Sequence, residues 1–71
     1  MMFKSREEVE SLRQKYTGCR IMLDGMDDPQ SPPVGTIGTC RGVDGIGDLL
    51  MSWDTGSSLK LIPGEDRFHI I

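Results

Sequence analysis

The stretch TIGTCRGVDGIGDLLMSWDTGSSLKLI, residues 36–62, decides the fold because turn sequences separate short runs of alternating apolar and polar residues within it. Alternation of this kind predicts three β-strands, Thr36–Val43, Asp48–Asp54 and Ser57–Ile62. The connecting sequences Asp44–Gly47 and Asp54–Gly56 are rich in residues that tolerate positive φ, as hairpin turns require. The stretch therefore predicts an antiparallel meander.

The apolar residues of this meander fall on shared strand faces. Leu49, Met51 and Trp53 lie on one face of their strand, and Leu59 and Leu61 on one face of the next. We expect both sets inside the protein. Trp53 has two interpretations, the anchor of the core or an exposed ring that stacks on a ligand, and core packing is favoured because the chain has few aromatic residues.

Two further strands are predicted outside the meander. Cys19–Asp24 alternates in the same way, and Phe68–Ile71 follows the break at Pro63–Gly64. Five short strands at close spacing favour a small closed or nearly closed barrel, with Gly38 and Gly42 at bends or bulges of its wall. The predicted fold is mainly β, with residues 19–71 forming the barrel.

Residues 5–17 are predicted to form an N-terminal helix. Ser5 and Glu8 have the spacing of a capping box, and Gly18 is suited to end the helix. Val9, Leu12 and Tyr16 recur at helical spacing and form one apolar stripe. This stripe must dock on the barrel. Met1–Phe3 are expected to extend that contact.

Length and composition indicate one domain covering residues 1–71. A chain this short buries too little surface to form two cores. It has no apolar run near the roughly 18 residues of a membrane span and no signal peptide, so we expect a cytoplasmic protein. Cys19 and Cys40 cannot form a disulfide framework or a zinc site, and we expect two reduced thiols in or near the core; a contact between them stays open.

The middle of the chain is acidic. Residues 24–54 carry six acidic residues and one basic residue, whereas the whole chain has a formal charge of -3. Negative potential favours a cationic protein partner and disfavours nucleic-acid binding through the barrel. The candidate partner-binding residues are the acids of the proline-rich loop and the first hairpin turn, together with two nearby apolar residues. They are Met26, Asp27, Asp28, Asp44, Asp48 and Leu50.

Catalytic groups are sparse. The single histidine, His69, is expected on the surface, and no nucleophile and base are recognisable as a pair. Asp24, Asp27 and Asp28 lack the spacing of a calcium loop, and Gly35–Gly38 lacks the Lys and Ser/Thr of a phosphate loop. We therefore predict no enzymatic activity, no metal and no cofactor.

A small-molecule function is the alternative. An oligomer of the chain could bind a nucleotide signal between subunits, with phosphate contacts from Arg41, Arg67, Ser57 and Ser58 and stacking on Trp53 or Tyr16. Nucleic-acid association is a third interpretation that depends on barrel analogy alone. Whether the proline loop or an open strand edge is the binding surface also stays open.

The sequence resembles the domain-of-unknown-function family 4314. Residues 26–39, 43–47, 53–59 and 62–68 carry the resemblance, which extends over nearly the whole chain. It implies an SH3-like barrel and an origin in phages or other mobile genetic elements, but it assigns no activity. The leading hypothesis is thus a small protein-binding module, for which inhibition or regulation of a host or defence protein is one conceivable role.

Overall fold

The computed structural model describes residues 4–71 and is mainly β. One helix precedes four strands: α1 (Arg6–Tyr16), β1 (Arg20–Gly25), β2 (Ile37–Val43), β3 (Leu49–Trp53) and β4 (Arg67–Ile70). The strands form one antiparallel sheet in the order β3-β2-β1-β4. The expected contact of Met1–Phe3 lies outside the described residues.

Helix α1 begins and ends where the sequence predicts. The Ser5 hydroxyl accepts a hydrogen bond from the Glu8 amide at 3.1 Å, and the Glu8 carboxylate accepts one from the Ser5 amide at 3.2 Å. This capping box satisfies two amides that lack partners within the helix. Gly18 follows the helix with a φ of 85°, a conformation that favours glycine.

The core lies between α1 and one face of the sheet. Each member is at most 5% exposed, and the set comprises Val9, Ile21, Leu23, Cys40, Val43, Leu49, Met51, Trp53 and Leu61. The inward face predicted for Leu49, Met51 and Trp53 of β3 is confirmed. The helix stripe reaches this core through Val9, with Leu12 and Tyr16 packed against its margin. Burial of apolar surface is the main force that holds so small a sheet together.

The prediction of a strand at Ser57–Ile62 is not confirmed. The segment runs beside β3 and pairs with it only at its two ends. The Trp53 amide donates to the Ser57 carbonyl at 3.0 Å, and Leu49 and Leu61 exchange two backbone hydrogen bonds of 2.8 and 3.1 Å. The sheet therefore has four strands instead of five, and it is not closed into a barrel.

The Trp53 side chain explains why the middle of this segment leaves the ladder. Its indole N–H donates to the Leu59 carbonyl at 2.8 Å. In a regular β-ladder this carbonyl would instead accept a hydrogen bond from a backbone amide of β3. Leu59 is half-buried, whereas Leu61 is fully buried. The sequence pattern predicted both as core residues, but only Leu61 belongs to the core.

The two glycines of β2 have different roles. A β-bulge lies between Cys40 and Gly42, as the sequence suggested for a bending wall. At Gly38 the backbone lies against Trp53: a Cβ there would be 2.8 Å from the Trp53 ring and 2.9 Å from the Ser52 carbonyl oxygen. Gly38 thus allows β2 to approach the tryptophan closely.

Candidate functional site

Asp44 organises the turn between β2 and β3. One carboxylate oxygen accepts hydrogen bonds from the amides of Ile46 (3.1 Å) and Asp48 (2.9 Å), and the other lies 3.0 Å from the Lys60 ammonium. Partial burial alone would raise the pKa of Asp44, but these amides and the ammonium together hold its pKa below the usual value. The Asp44 carboxylate is therefore engaged by the turn amides and by Lys60, and its role in partner binding stays a prediction.

Two more acids of the acidic middle face basic side chains. Asp54 forms a two-pronged contact with Arg20 at 2.6 and 2.9 Å, and the guanidinium lowers the pKa of Asp54. Asp24 lies 2.7 Å from the His69 imidazole. With Asp44, half of the six carboxylates in residues 24–54 thus have a basic neighbour. The negative potential is weaker than the sequence count indicated.

The proline loop between β1 and β2 contains a turn that is held by hydrogen bonds to Asp28. The Asp28 carboxylate accepts a hydrogen bond from the Gln30 amide at 2.8 Å, and its carbonyl accepts one from Ser31 at 3.0 Å. Asp27 is exposed, whereas Met26 is half-buried and packs against the core. Met26 therefore lies at the margin of the core, and its role in partner binding stays a prediction.

The proline loop and the first hairpin turn meet at one groove, which we call the loop groove. Its volume is about 480 Å³, and it is lined by Gln30, Asp48, residues 57–60 and Ile62. Gln30 belongs to the proline loop, and its amide donates a hydrogen bond to the Asp28 carboxylate. The proline loop and the first hairpin turn therefore border the same groove. Leu59 and Ile62 supply its apolar surface, and Ile62 is 36% exposed.

Charge in the loop groove is unevenly distributed. The Lys60 ammonium is engaged by Asp44 at 3.0 Å, so the charges of this pair offset each other. Asp48 contributes a carboxylate to the lining, whereas its amide and carbonyl form the turn hydrogen bonds with Asp44. The side chain of Asp48 is thus the acidic group best placed to act on a bound molecule.

The residues proposed for nucleotide binding are not brought together. Trp53 is 2% exposed and cannot stack on a ligand, so that interpretation is wrong and the core interpretation is confirmed. Ser57 and Ser58 line the loop groove, but Arg41 lies in the β2 bulge and the Arg67 guanidinium lies against Gly25. Within one chain, Arg41 and Arg67 therefore do not join the serines at the loop groove, and the site between subunits of an oligomer stays a prediction.

Two other candidates lie away from the loop groove. Leu50 is 37% exposed on the outer face of β3, opposite the glycine of the bulge. Tyr16 packs edge-on against Phe68 with ring centroids 5.6 Å apart, and Lys15 lies over its ring at 5.2 Å. Neither side chain lines the loop groove.

Sequence reasoning missed three members of the groove and one polar pair. Gln30, Lys60 and Ile62 were not singled out as candidate site residues, and the contact of Lys60 with Asp44 depends on how two turns pack. His69 is exposed as predicted, but its partner is 45 positions away in sequence. Such a pair is visible only once β1 and β4 are known to be neighbours.

The described part of the chain has neither a metal-binding cluster nor a helix that could span a membrane. Residues 4–71 contain no group of three or more His, Cys, Asp or Glu side chains placed to hold a metal ion. Helical structure within the same range lacks the length and apolar character that crossing a bilayer requires.

The fold and the groove define a small antiparallel β protein, capped by a helix, with a shallow groove between the proline loop and the first hairpin turn. The chain belongs to the family described as Domain of unknown function (DUF4314), which it matches over residues 5–71. This confirms the resemblance and its extent over almost the whole chain. No curated protein and no solved structure shows significant similarity to it.

Proposed function

We propose that this chain is a non-catalytic protein-binding module whose loop groove binds a basic, partly apolar segment of another protein. One observation carries the proposal: the proline loop, through Gln30, and the first hairpin turn, through Asp48, line one groove together with the apolar residues Leu59 and Ile62. Grooves that combine apolar surface with a few placed polar groups are typical of ligand-binding sites.

The chemistry of the groove favours a lysine or arginine side chain as the anchor of the partner. The long stem of such a side chain can lie on Leu59 and Ile62 while its charged end reaches the Asp48 carboxylate. Rim charges of this kind act mainly on the rate and specificity of association. Binding should therefore weaken as salt is added.

We further propose that the sheet is an opened SH3-like barrel. The order of neighbours supports this relation: segment 57–61 lies beside β3 at one end, and the C-terminal strand β4 lies beside β1 at the other. In this view the segment is the fifth strand, released in its middle by the Trp53–Leu59 hydrogen bond. The release also places Leu59 in the groove.

The biological setting belongs to the same proposal. We propose that a phage or other mobile genetic element encodes the chain, that it acts in the cytoplasm, and that it inhibits or regulates a host or defence protein. The family resemblance and two unpaired cysteines support this setting. A fold with so few candidate catalytic groups also favours binding over catalysis.

The test is a selection of random peptides against the immobilised chain. We expect the enriched peptides to combine Lys or Arg with a neighbouring apolar residue. Asp48→Lys should weaken their binding about tenfold or more, because it places a like charge opposite the anchor. The backbone hydrogen bonds of Asp48 do not involve its side chain, so the variant should still fold.

The matched control is Glu7→Lys, which makes the same change of charge on the exposed surface of α1. Glu7 does not line the loop groove, so this variant should bind the selected peptides as the original chain does. Equal loss of binding in both variants would show that only net charge matters. Selection of acidic peptides would contradict the proposal directly.

The nucleotide alternative is decided by thermal unfolding in the presence of mono-, di- and cyclic nucleotides. The groove has one ammonium, which Asp44 already engages, and its tryptophan neighbour is buried. We therefore expect no rise in the unfolding midpoint. A rise in the absence of any protein partner would favour small-molecule capture instead.

A further inference from the structure

Cys19, the residue just before β1, lies opposite Cys40 of β2. The Cys40 amide donates to the Cys19 carbonyl at 2.9 Å, and the next pair in the ladder, Arg20 with Thr39, continues the same register. Residues directly opposite each other in antiparallel pairing have Cα atoms about 4.5–5.5 Å apart. That separation lies within the range of about 4.4–6.8 Å that disulfides span.

The two side chains are also on the same face of the sheet. Cys40 is fully buried in the core, and Cys19 is half-buried and packs against the same core. Each thiol is at present turned to a nearby carbonyl: Cys19 donates to Lys15 at 3.3 Å and Cys40 to Gly42 at 3.2 Å. Rotation of both side chains about χ1 would turn the sulfur atoms towards each other.

We propose that Cys19 and Cys40 form a reversible disulfide when the chain meets a small-molecule disulfide such as oxidised glutathione. Cys19 is the more accessible thiol, so it reacts first. Its thiolate attacks one sulfur of oxidised glutathione and forms a mixed disulfide, and one glutathione thiolate leaves.

The second step closes the bond within the chain. The Cys40 thiol loses its proton and attacks the Cys19 sulfur, and the second glutathione leaves as a thiolate that takes up a proton. Two protein thiols are thereby oxidised and one glutathione disulfide is reduced to two glutathione thiols. Burial raises the pKa of the Cys40 thiol, so this second step should be the slower one.

The bond would fasten the start of β1 to β2. The Gly18 amide already donates to the Cys40 carbonyl at 2.7 Å, so the junction between α1 and the sheet lies beside the two cysteines. Oxidation should therefore stiffen the attachment of the helix. None of these residues lines the loop groove, so the inference is independent of the proposed binding function.

The test is to incubate the full chain with oxidised glutathione and to measure its intact mass and peptide map. We expect a monomer lighter by two hydrogen atoms, with the peptides that contain Cys19 and Cys40 linked. Its midpoint of thermal unfolding should rise by about 10 °C, and a dithiol reductant should reverse both changes.

Two variants test the order of steps. Cys40→Val keeps an apolar side chain in the core, and we expect it to accumulate glutathione on Cys19. Cys19→Ser should stay unmodified in the folded state, because Cys40 is buried. The inference is overturned if the original chain also stops at the mixed disulfide, or if it forms only dimers linked between chains.

Discussion

Gly38→Ala tests the close approach of β2 to Trp53. A Cβ at Gly38 would be 2.8 Å from the Trp53 ring, 2.9 Å from the Ser52 carbonyl oxygen and 3.0 Å from the Trp53 Cα. Two of these three atoms belong to the backbone, so rotation of one side chain cannot relieve the contacts. The neighbouring strand β3 must shift.

The expected cost follows from two opposing contributions. Overpacking of this kind costs about 1–3 kcal/mol. Replacing glycine by alanine returns about 0.4–1 kcal/mol, because it reduces the freedom of the unfolded chain. The free energy of unfolding should therefore fall by about 1–1.5 kcal/mol, an appreciable fraction of the stability of so small a domain.

Gly42→Ala is the matched control within the same strand. Its Cβ would meet only the end of the Leu50 side chain, at 4.0 Å, and neither glycine has a positive φ. Urea unfolding followed by circular dichroism should show Gly42→Ala within about 0.5 kcal/mol of the original chain, at an unchanged m-value. Equal stability of the two variants would refute the close approach.

Three further predictions concern single side chains. Asp44→Asn should lower stability by about 1 kcal/mol at pH 7, because it removes the charge that Lys60 and two amides stabilise. The pKa of Asp44 is depressed in the folded state, so the stabilisation by its charge is present above pH about 4 and is lost as the pH falls further. Unfolding curves measured across this pH range should show the original chain and Asp44→Asn becoming equally stable in acid. Ser5→Ala should cost about 1 kcal/mol in thermal unfolding through loss of the helix cap, and an unchanged midpoint would contradict the capping box. The fluorescence of Trp53, the single tryptophan, should resist quenching by acrylamide, and ready quenching would contradict its burial.

Local patterns in the sequence predicted the helix and the four strands well. The capping box lies within four residues, and the alternation in β1 and β3 lies within five or six, so neither depends on distant contacts. The segment at Ser57–Ile62 has the same alternation but is paired only at its ends. Its middle is decided by the side chain of Trp53, a choice that no local pattern contains.

The candidate site was predicted less well, because the positions of acidic residues in the sequence do not show which of them pair with basic side chains in the folded chain. Asp44 and Asp48 are both acids of one turn, yet the first holds the turn together and the second lines the groove. Lys60, which neutralises Asp44, is 16 positions away. Only the packing of the turn against residues 57–60 distinguishes the two aspartates.

The irregular segment links the fold to the proposed function. Because the Leu59 carbonyl binds the Trp53 indole, residues 57–60 line a groove where a regular fifth strand would continue the sheet. The proline loop reaches the same groove through Gln30. A departure from regular pairing therefore provides the surface that the proposal requires.

The most direct test of the proposed groove is an NMR titration of the isotope-labelled chain with a peptide from the basic selection. We expect the largest amide shifts at Gln30, at Asp48 and along residues 57–62, and we expect them to disappear in Asp48→Lys. Shifts confined to α1 or to the free edge of β4, with the groove unchanged, would contradict the account.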